Sequence, residues 1–345
     1  MAASQGGPSP ARVVAARAGE GYSASMRATR ITWLLLAPGV LATVLFVYLF
    51  IAWTAYASFT GWNHLAPARG LLPDAPWVGL DNYRGLFTTE RFWPDDVVNT
   101  LVFTGAFEVA CLGMGLLLAI LLDRRFRGEA LFRNVFLLPM SLSFVVTGTI
   151  WAWIFDPTTG INELLRPLGI DAARRWLLDV RALAPLWHAL DAMRIDVLRP
   201  GLTTDPRAAL GAVVIAAAWQ MSGFTMAMFL AGLRGVPDEI REAARVDGAS
   251  EVQLYARVLV PQLRPVLVSA VVILGYVSLK IFDLVFVMTR GGPGNATDFP
   301  SIYLFDSAFK GNLWARGASV AVVMLLASAV VVIPYLHRQL RRERE

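Results

Sequence analysis

Six long apolar segments are the feature that most constrains how this chain can fold. The first is an almost unbroken apolar run at about residues 31–59. The other five lie at about residues 98–122, 135–155, 209–230, 266–288 and 317–336. A helix needs ~20 apolar residues to cross a bilayer, and these segments have about that length. Backbone polar groups cannot stay unpaired in hydrocarbon, so the segments predict an all-α integral membrane protein with six transmembrane helices.

The composition agrees with a membrane protein and excludes several other classes. Of the 345 residues, 56% are hydrophobic and 17% are charged, whereas an ordinary soluble domain is roughly 25% charged. The net charge of +5 is explained by arginines beside the apolar segments, so no nucleic-acid partner is expected. The single Cys111 and the scattered His64, His188 and His337 predict no metal site. The same scatter argues against a membrane enzyme.

The distribution of basic residues predicts the orientation in the membrane. An even number of spans places both chain ends on one side, with a flexible basic tail at residues 1–30 and a second basic tail at 337–345. These tails share their side with residues 123–134 and 233–264, and basic residues there are nearly twice as dense as on the opposite side. The positive-inside rule therefore predicts that both termini are cytoplasmic.

A long loop at residues 156–208 lies on the predicted outer side. Its arginines oppose the positive-inside rule, but the loop carries an equal number of acidic residues. Leu186, Leu190, Met193 and Val197 follow helical spacing and predict an amphipathic helix within it. This helix would rest on the membrane surface or on the spans, and contact with an extracytoplasmic binding protein is the second interpretation.

The loop at residues 237–261, between the fourth and fifth spans, predicts two short helices joined at a turn. Pro237 suits the first position of a helix, and Gly248 suits its end. Ser250 and Gln253 have the spacing of a capping box, which would start the second helix.

The same loop combines small and charged side chains. A partner protein could approach the small residues closely, but any membrane protein can have capped helices in its cytoplasmic loops. These physical arguments leave a docking surface and an ordinary loop equally open. The small residues are Ala243, Ala244 and Ala249, and the charged ones are Glu242, Arg245 and Asp247.

The spacing of this loop resembles a known signature. Glu242-Ala243-Ala244 is followed after three residues by Gly248, and after nine more by Val258-Leu259-Val260-Pro261. This pattern is similar to the EAA motif of binding-protein-dependent ABC importer permeases, with valine at two positions of the final I-x-L-P. Further motifs resemble the carbohydrate-uptake, MalF-type members. They are Gly79-Leu80-Asp81-Asn82-Tyr83, Asn99-Thr100, Phe132-Arg133, Leu138-Pro139, Gly291-Gly292-Pro293-Gly294 and Ala296-Thr297.

The resemblance implies a MetI-like permease fold and a division of labour among subunits. This chain would form half of the path for a sugar or sugar derivative across the bacterial cytoplasmic membrane, surrounded by membrane lipid. Its partners would be a MalG-type second permease, an ATP-binding cassette ATPase dimer and an extracytoplasmic solute-binding protein. The resemblance implies that the ATPase docks on one set of loop residues. They are Glu242, Ala243, Ala244, Asp247, Gly248, Ala249 and Pro261.

The sequence also predicts that this chain does not bind ATP itself. A phosphate-binding loop needs G-x-x-x-x-G-K-[S/T], and neither Lys280 nor Lys310 follows a glycine. We therefore expect no cofactor on this chain, with ATP and Mg used by the partner ATPase. An ion-coupled secondary transporter is the alternative function, but it predicts an internal repeat that these six spans do not show.

Polar groups within the fourth and fifth spans are candidates for lining the solute path, because such groups are costly in a membrane. Trp219 and Gln220 suit a sugar, with an aromatic face and an amide, although a tryptophan at the membrane interface or in a helix core is the more ordinary case. Ser278, Lys280 and Asp283 either hydrogen-bond the solute or, for the last two, form a structural ion pair along one helix face. The resemblance favours Trp219 and Ser278, and it assigns Glu108 no role beyond helix contact.

Overall fold

The computed structural model describes residues 35–65, 68–69, 72–73, 75–88, 91–124, 127–156, 159–161, 163 and 207–342. The predicted basic tail at the start and most of the long outer loop, with its predicted amphipathic helix, lie outside these residues. The chain divides into two units, residues 1–56 and 57–345, and the packing described below belongs to the second. The described residues are mostly helical, as the apolar segments predicted.

Twelve helices account for most of the described residues. In chain order they are α1, Leu35–Ser58; α2, Asp81–Thr88; α3, Val97–Asp123; α4, Glu129–Leu137; α5, Phe144–Ile154; α6, Arg207–Arg234; α7, Asp238–Val246; α8, Glu251–Gln262; α9, Arg264–Leu279; α10, Asp283–Met288; α11, Pro300–Phe305; and α12, Trp314–Arg342. Two short strands, β1 at Ala68–Arg69 and β2 at Leu72–Pro73, form an antiparallel pair.

Four described helices are long and apolar enough to cross a membrane. They are Leu35–Ser58, Arg91–Asp123, Ala209–Arg234 and Trp314–Arg341. They correspond to the first, second, fourth and sixth predicted spans. Two bent helix pairs also pass this test when each pair is taken as one span, so the described residues contain between four and six candidate spans.

The third and fifth predicted spans are not continuous helices. In the third, the segments Glu129–Ser141 and Phe144–Ile154 meet at 99°. The backbone at Leu142 is extended, and Ser143 caps the second segment by accepting a hydrogen bond from the Val146 amide at 3.3 Å. The expectation of one uninterrupted helix at 135–155 is therefore wrong, and Pro139 just before the bend is its sequence signal.

The fifth predicted span, 266–288, is interrupted near its middle. Helix α9 ends at Leu279, and α10 begins four residues later, at Asp283. The carbonyl of Ile281, inside the gap, accepts a hydrogen bond of 2.5 Å from the Ser301 hydroxyl. A polar side chain from elsewhere in the chain thus replaces a helical hydrogen bond at the break.

Helices α3 and α6 form the central pair of the second unit. The Thr225 hydroxyl on α6 donates to the carbonyl of Cys111 on α3 at 2.8 Å. Gly115 lies beside Thr225, and an added Cβ at this glycine would be 2.1 Å from the Thr225 Oγ1. Small side chains allow such close helix contact in membranes, where association depends on packing.

A cluster of charged residues ties α11 to the start of the second span. The Arg91 guanidinium contacts Asp298 at 2.6 Å and also binds Asp306. Asp96 is fully buried nearby, and the Asn99 amide donates to the carbonyls of Asn295 and Asp298. The segment 289–316, expected only as an outer loop, is thus partly helical and packed on the second span.

Candidate coupling loop and solute path

The first helix of the predicted coupling loop is α7, Asp238–Val246. Pro237 precedes it as the N-cap, one position earlier than expected, and Asp238 and Glu239 occupy the first turn. Negative charge is favourable there because the amides at a helix start lack intrahelical acceptors. Gly248 follows with φ +82°, a backbone conformation that glycine adopts without strain.

The capping box at the second helix is confirmed. The Ser250 amide donates to the Gln253 Oε1 at 2.9 Å, and the Gln253 amide donates to the Ser250 Oγ at 3.4 Å. Both backbone donors at the start of α8 are satisfied locally. The turn between α7 and α8 therefore has a fixed geometry.

The coupling residues implied by the EAA resemblance are mostly exposed. Ala244 and Ala249 are half-buried, and the Ala249 amide donates to the Ala244 carbonyl at 3.0 Å. Val246 and Val252 add apolar surface, with 86% and 78% of their area exposed. The exposed coupling residues are Glu242, Ala243, Asp247, Gly248 and Pro261.

Arg241, which the sequence interpretation did not single out, attaches α7 to the spans. Its guanidinium donates to the Asp123 carboxylate at 2.8 Å and to the Leu233 carbonyl at 2.6 Å. The Tyr255 hydroxyl also donates to Asp123, at 2.7 Å. Burial alone would lower the pKa of Arg241, but the hydrogen bond and the charge of Asp123 outweigh it and raise this pKa. An acidic residue at the end of a predicted span was the signal available in the sequence.

Trp219 and Gln220 lie next to the bend in the third span. Trp219 is half-buried and packs edge-on against Trp151, with ring centroids 5.8 Å apart. Gln220 is 2% exposed, and its amide donates to the carbonyl of Leu142 at 2.8 Å. This hydrogen bond stabilises the extended backbone at the bend, a structural function that the sequence interpretation missed.

Ser278 is buried between the second and fifth spans. Its hydroxyl lies 2.8 Å from the Thr104 hydroxyl on α3 and donates to the Gly275 carbonyl. Glu108, one turn further along α3, packs against Gly275, where an added Cβ would be 3.0 Å from the Glu108 Oε1. A polar seam therefore joins these two spans.

The hypothesis that Lys280 and Asp283 pair along one helix face is wrong. The helix ends before Lys280 and a new one begins at Asp283, so the three-residue spacing no longer places them on one face. Both side chains are exposed, and among the described ion pairs none joins them. The Lys280 Nζ instead lies 4.3 Å from the ring centre of Tyr276.

Within the ranges given above, no group of three or more His, Cys, Asp or Glu side chains is placed to hold a metal ion. The one cysteine, Cys111, is buried on α3.

Residues 112–344 match the family described as the inner membrane component of binding-protein-dependent transport systems. The chain belongs to this family. It is therefore the membrane permease subunit of an ABC importer, with ATP hydrolysis on a separate subunit, and it is neither an ion-coupled transporter nor an enzyme.

Individual relatives of this permease agree with the family. A probable ABC transporter permease protein of Pyrococcus horikoshii is 40% identical over 88% of this chain and 94% of its own length. The xylose/arabinose import permease protein XacH of Haloferax volcanii is 37% identical over 83% of this chain and 80% of its own length.

Among solved structures, a chain of a bacterial ABC transporter involved in the import of the acidic polysaccharide alginate has a similar fold. It superposes on the permease with a TM-score of 0.71 at 20% identity, covering 93% of this chain and 98% of that one. At this identity the likeness shows the fold, which is that of the MetI-like ABC importer permeases.

Proposed function

We propose that this permease forms half of a translocation path for a sugar or sugar derivative, and that residues 237–261 receive the force of ATP hydrolysis. The exposed face of α7 carries the proposal, because it presents Glu242 and Ala243 beside the exposed Val246 and is not covered by the described part of the chain. The names of two similar proteins support the solute class, since xylose, arabinose and alginate are all carbohydrates.

The proposed assembly contains four further subunits. A MalG-type second permease completes the path, two ATPase subunits use ATP and Mg, and an extracytoplasmic protein delivers the solute. The permease would cross the membrane six times. The bent pair Glu129–Ser141 with Phe144–Ile154 would form the third span, and Arg264–Leu279 with Asp283–Met288, which follow the coupling loop, would form the fifth. Both termini would then be cytoplasmic, in keeping with the basic residues on that side.

The proposed solute-path residues have different surroundings. Lys280 and Asp283 are exposed at the break of the fifth span and are available to hydrogen-bond a hydroxylated solute. Trp219 offers a half-buried ring, whereas Gln220 and Ser278 support the path from buried positions. An aromatic face and convergent polar groups are typical of sugar sites.

Substitution of the coupling loop tests the proposal. Glu242→Ala should abolish uptake in the assembled transporter while the binding protein still captures solute. Asp81→Asn is the matched control, because it also removes an exposed carboxylate, in a 3.6 Å surface pair with Arg84, away from the loop. Full uptake by the Glu242 variant would contradict the proposal.

Gly248 provides a second test of the loop, with a conformational control at the same position. A Cβ there meets no atom within 4 Å, so a substitution acts only through the positive φ. Gly248→Ala should reduce uptake, because it strains the turn by roughly 1–2 kcal/mol, whereas Gly248→Asn should retain most of it.

Sugars that raise the melting temperature of the binding protein would identify the solute.

A further inference from the structure

Asp123 is the last residue of α3, and its carboxylate is almost completely buried, with 4% of the side chain exposed. One oxygen, Oδ2, accepts hydrogen bonds from the Arg241 Nη1 at 2.8 Å and from the Tyr255 hydroxyl at 2.7 Å. Arg241 belongs to α7, and Tyr255 belongs to α8. A single carboxylate at the end of the second span thus binds both helices of the coupling loop.

Arg241 extends this contact to the fourth span. Its Nη2 donates to the carbonyl of Leu233, in the last turn of α6, at 2.6 Å. Carbonyls in the last turn of a helix lack intrahelical donors and carry partial negative charge, so a guanidinium is favourable there. The planar fork of arginine serves Asp123 and Leu233 at the same time, which the single ammonium of a lysine cannot do in the same geometry.

Apart from Arg241, helix α7 makes few contacts with the spans. None of its residues is buried, and the side chain of Arg241 is 13% exposed. Its half-buried Ala244 touches the apolar cluster formed by Leu233, Leu254 and Leu259. Directional contact with the ends of α3 and α6 therefore comes from Arg241.

We infer that Asp123 is a positioning residue that makes the coupling loop and the ends of α3 and α6 move as one body. The inference rests on the proposed function of the loop. If α7 moved without α3, the Asp123 carboxylate would remain buried without its cation, which is strongly unfavourable. A displacement of α7 therefore carries the two spans with it, and these spans form the central helix pair of the second unit.

The test uses the complete transporter in vesicles, with its ATPase, second permease and binding protein. Two quantities are measured: the stimulation of ATP hydrolysis by solute-loaded binding protein, and the solute moved per ATP. For Asp123→Asn we expect basal hydrolysis to stay within about twofold of wild type and both coupling quantities to fall by roughly tenfold. A purely structural role would instead lower the amount of assembled transporter and leave both ratios unchanged.

A second set of variants measures the contact itself. Arg241→Lys keeps the charge but loses the fork, and Tyr255→Phe removes one hydroxyl, so both should give the same defect in weaker form. The double variant of Asp123→Asn with Arg241→Gln should be no worse than the more defective single variant, because the contact is already absent. Glu129→Gln is the matched control and should be neutral. It breaks a nearby ion pair of 2.7 Å, between Glu129 and Arg234, in which neither residue belongs to the coupling loop.

The contrary results are equally specific. Wild-type ratios in assembled Asp123→Asn transporter would overturn the inference. If that variant fails to assemble, wild-type ratios in both Arg241→Lys and Tyr255→Phe would overturn it instead. Glu242→Ala in the same vesicles separates the two proposals: uptake retained there contradicts the docking function, whereas uptake lost there with a neutral Asp123→Asn contradicts only the role of Asp123.

Discussion

At the scale of single residues, Gly115 determines how closely α3 and α6 can approach. A Cβ at this position would lie 2.1 Å from the Thr225 Oγ1 and 2.9 Å from the Met226 amide nitrogen, which is backbone and cannot rotate away. The Thr225 hydroxyl is itself fixed by hydrogen bonds to the carbonyls of Cys111 and Ser222. The position that a methyl group at Gly115 would occupy is therefore already filled by atoms of α6.

Gly115→Ala should destabilise the permease by roughly 1–3 kcal/mol, because the methyl group forces two packed helices apart. Gly113→Ala is the control on the same helix: nothing lies within 4 Å of its added Cβ, so it should be neutral or stabilise by up to about 1 kcal/mol. Thermal unfolding of both variants in detergent measures the difference. Equal melting temperatures would mean that α3 and α6 are not in close contact at Gly115.

At the scale of helices, features set by residues close together in sequence were predictable, and features set by contacts between distant residues were not. The cap of α8 was predictable because Ser250 and Gln253 are three residues apart. The contact between Asp123 and Arg241 joins residues 118 positions apart, and no local pattern reports it. The bend at Leu142 depends in the same way on Gln220, 78 positions away.

The error at Lys280 and Asp283 has a related physical cause. Hydrophobicity along 266–288 measures whether a segment can cross the membrane, and it is insensitive to where the helix is interrupted. The interruption is stabilised by Ser301, which bonds the Ile281 carbonyl from outside the span. The prediction that Lys280 and Asp283 share one helix face assumed a continuous helix, whereas the helix is interrupted between Leu279 and Asp283.

The charged cluster around Arg91 joins the start of the second span to the residues on either side of α11, and it should make stability depend on pH. Burial alone would raise the pKa of Asp306, but hydrogen bonds from Arg91 and Lys310 outweigh it and lower this pKa below its ordinary value. Burial raises the pKa of Asp298, although Arg91 opposes the rise. Two carboxyls on one guanidinium thus shift in opposite directions.

Asp306→Asn should therefore lower the free energy of unfolding at pH 7 by about 2 kcal/mol, since it removes charge-assisted hydrogen bonds. The folded-state pKa is depressed, so this contribution is complete above a pH of about 4 and disappears as the pH falls through the lower folded value. Melting temperatures of wild type and variant at pH 7 and about pH 3 should therefore converge in acid. A gap that stays constant with pH would show that the charge of Asp306 contributes nothing.

At the scale of the whole molecule, the proposed six spans place the coupling loop and the end of α12 on one side of the membrane. The segment just after α1 would lie on the other side. Leu65 is 80% exposed in that segment, Val252 is 78% exposed in the loop, and Gln339 is exposed near the end of α12. Cys111 is fully buried, so the wild-type chain is a suitable background for thiol labelling.

Single cysteines at these three positions test the arrangement. With a membrane-impermeant thiol reagent, Leu65→Cys should react in intact cells, whereas Val252→Cys and Gln339→Cys should react only in inverted vesicles. Labelling of all three from one side would contradict six spans. Unmodified wild-type chain is the control for reaction at Cys111.

The contact between Thr225 and Cys111 also bears on how the chain is made. These residues are 114 positions apart, and synthesis proceeds at roughly 5–20 residues per second, so α6 reaches the membrane on the order of ten seconds after α3. During that interval α3 is already inserted but has no α6 to cover Gly115. The contact between α3 and α6 consequently cannot form when α3 is first inserted, and a ribosome that stalls before residue 207 leaves Gly115 without the helix that packs on it.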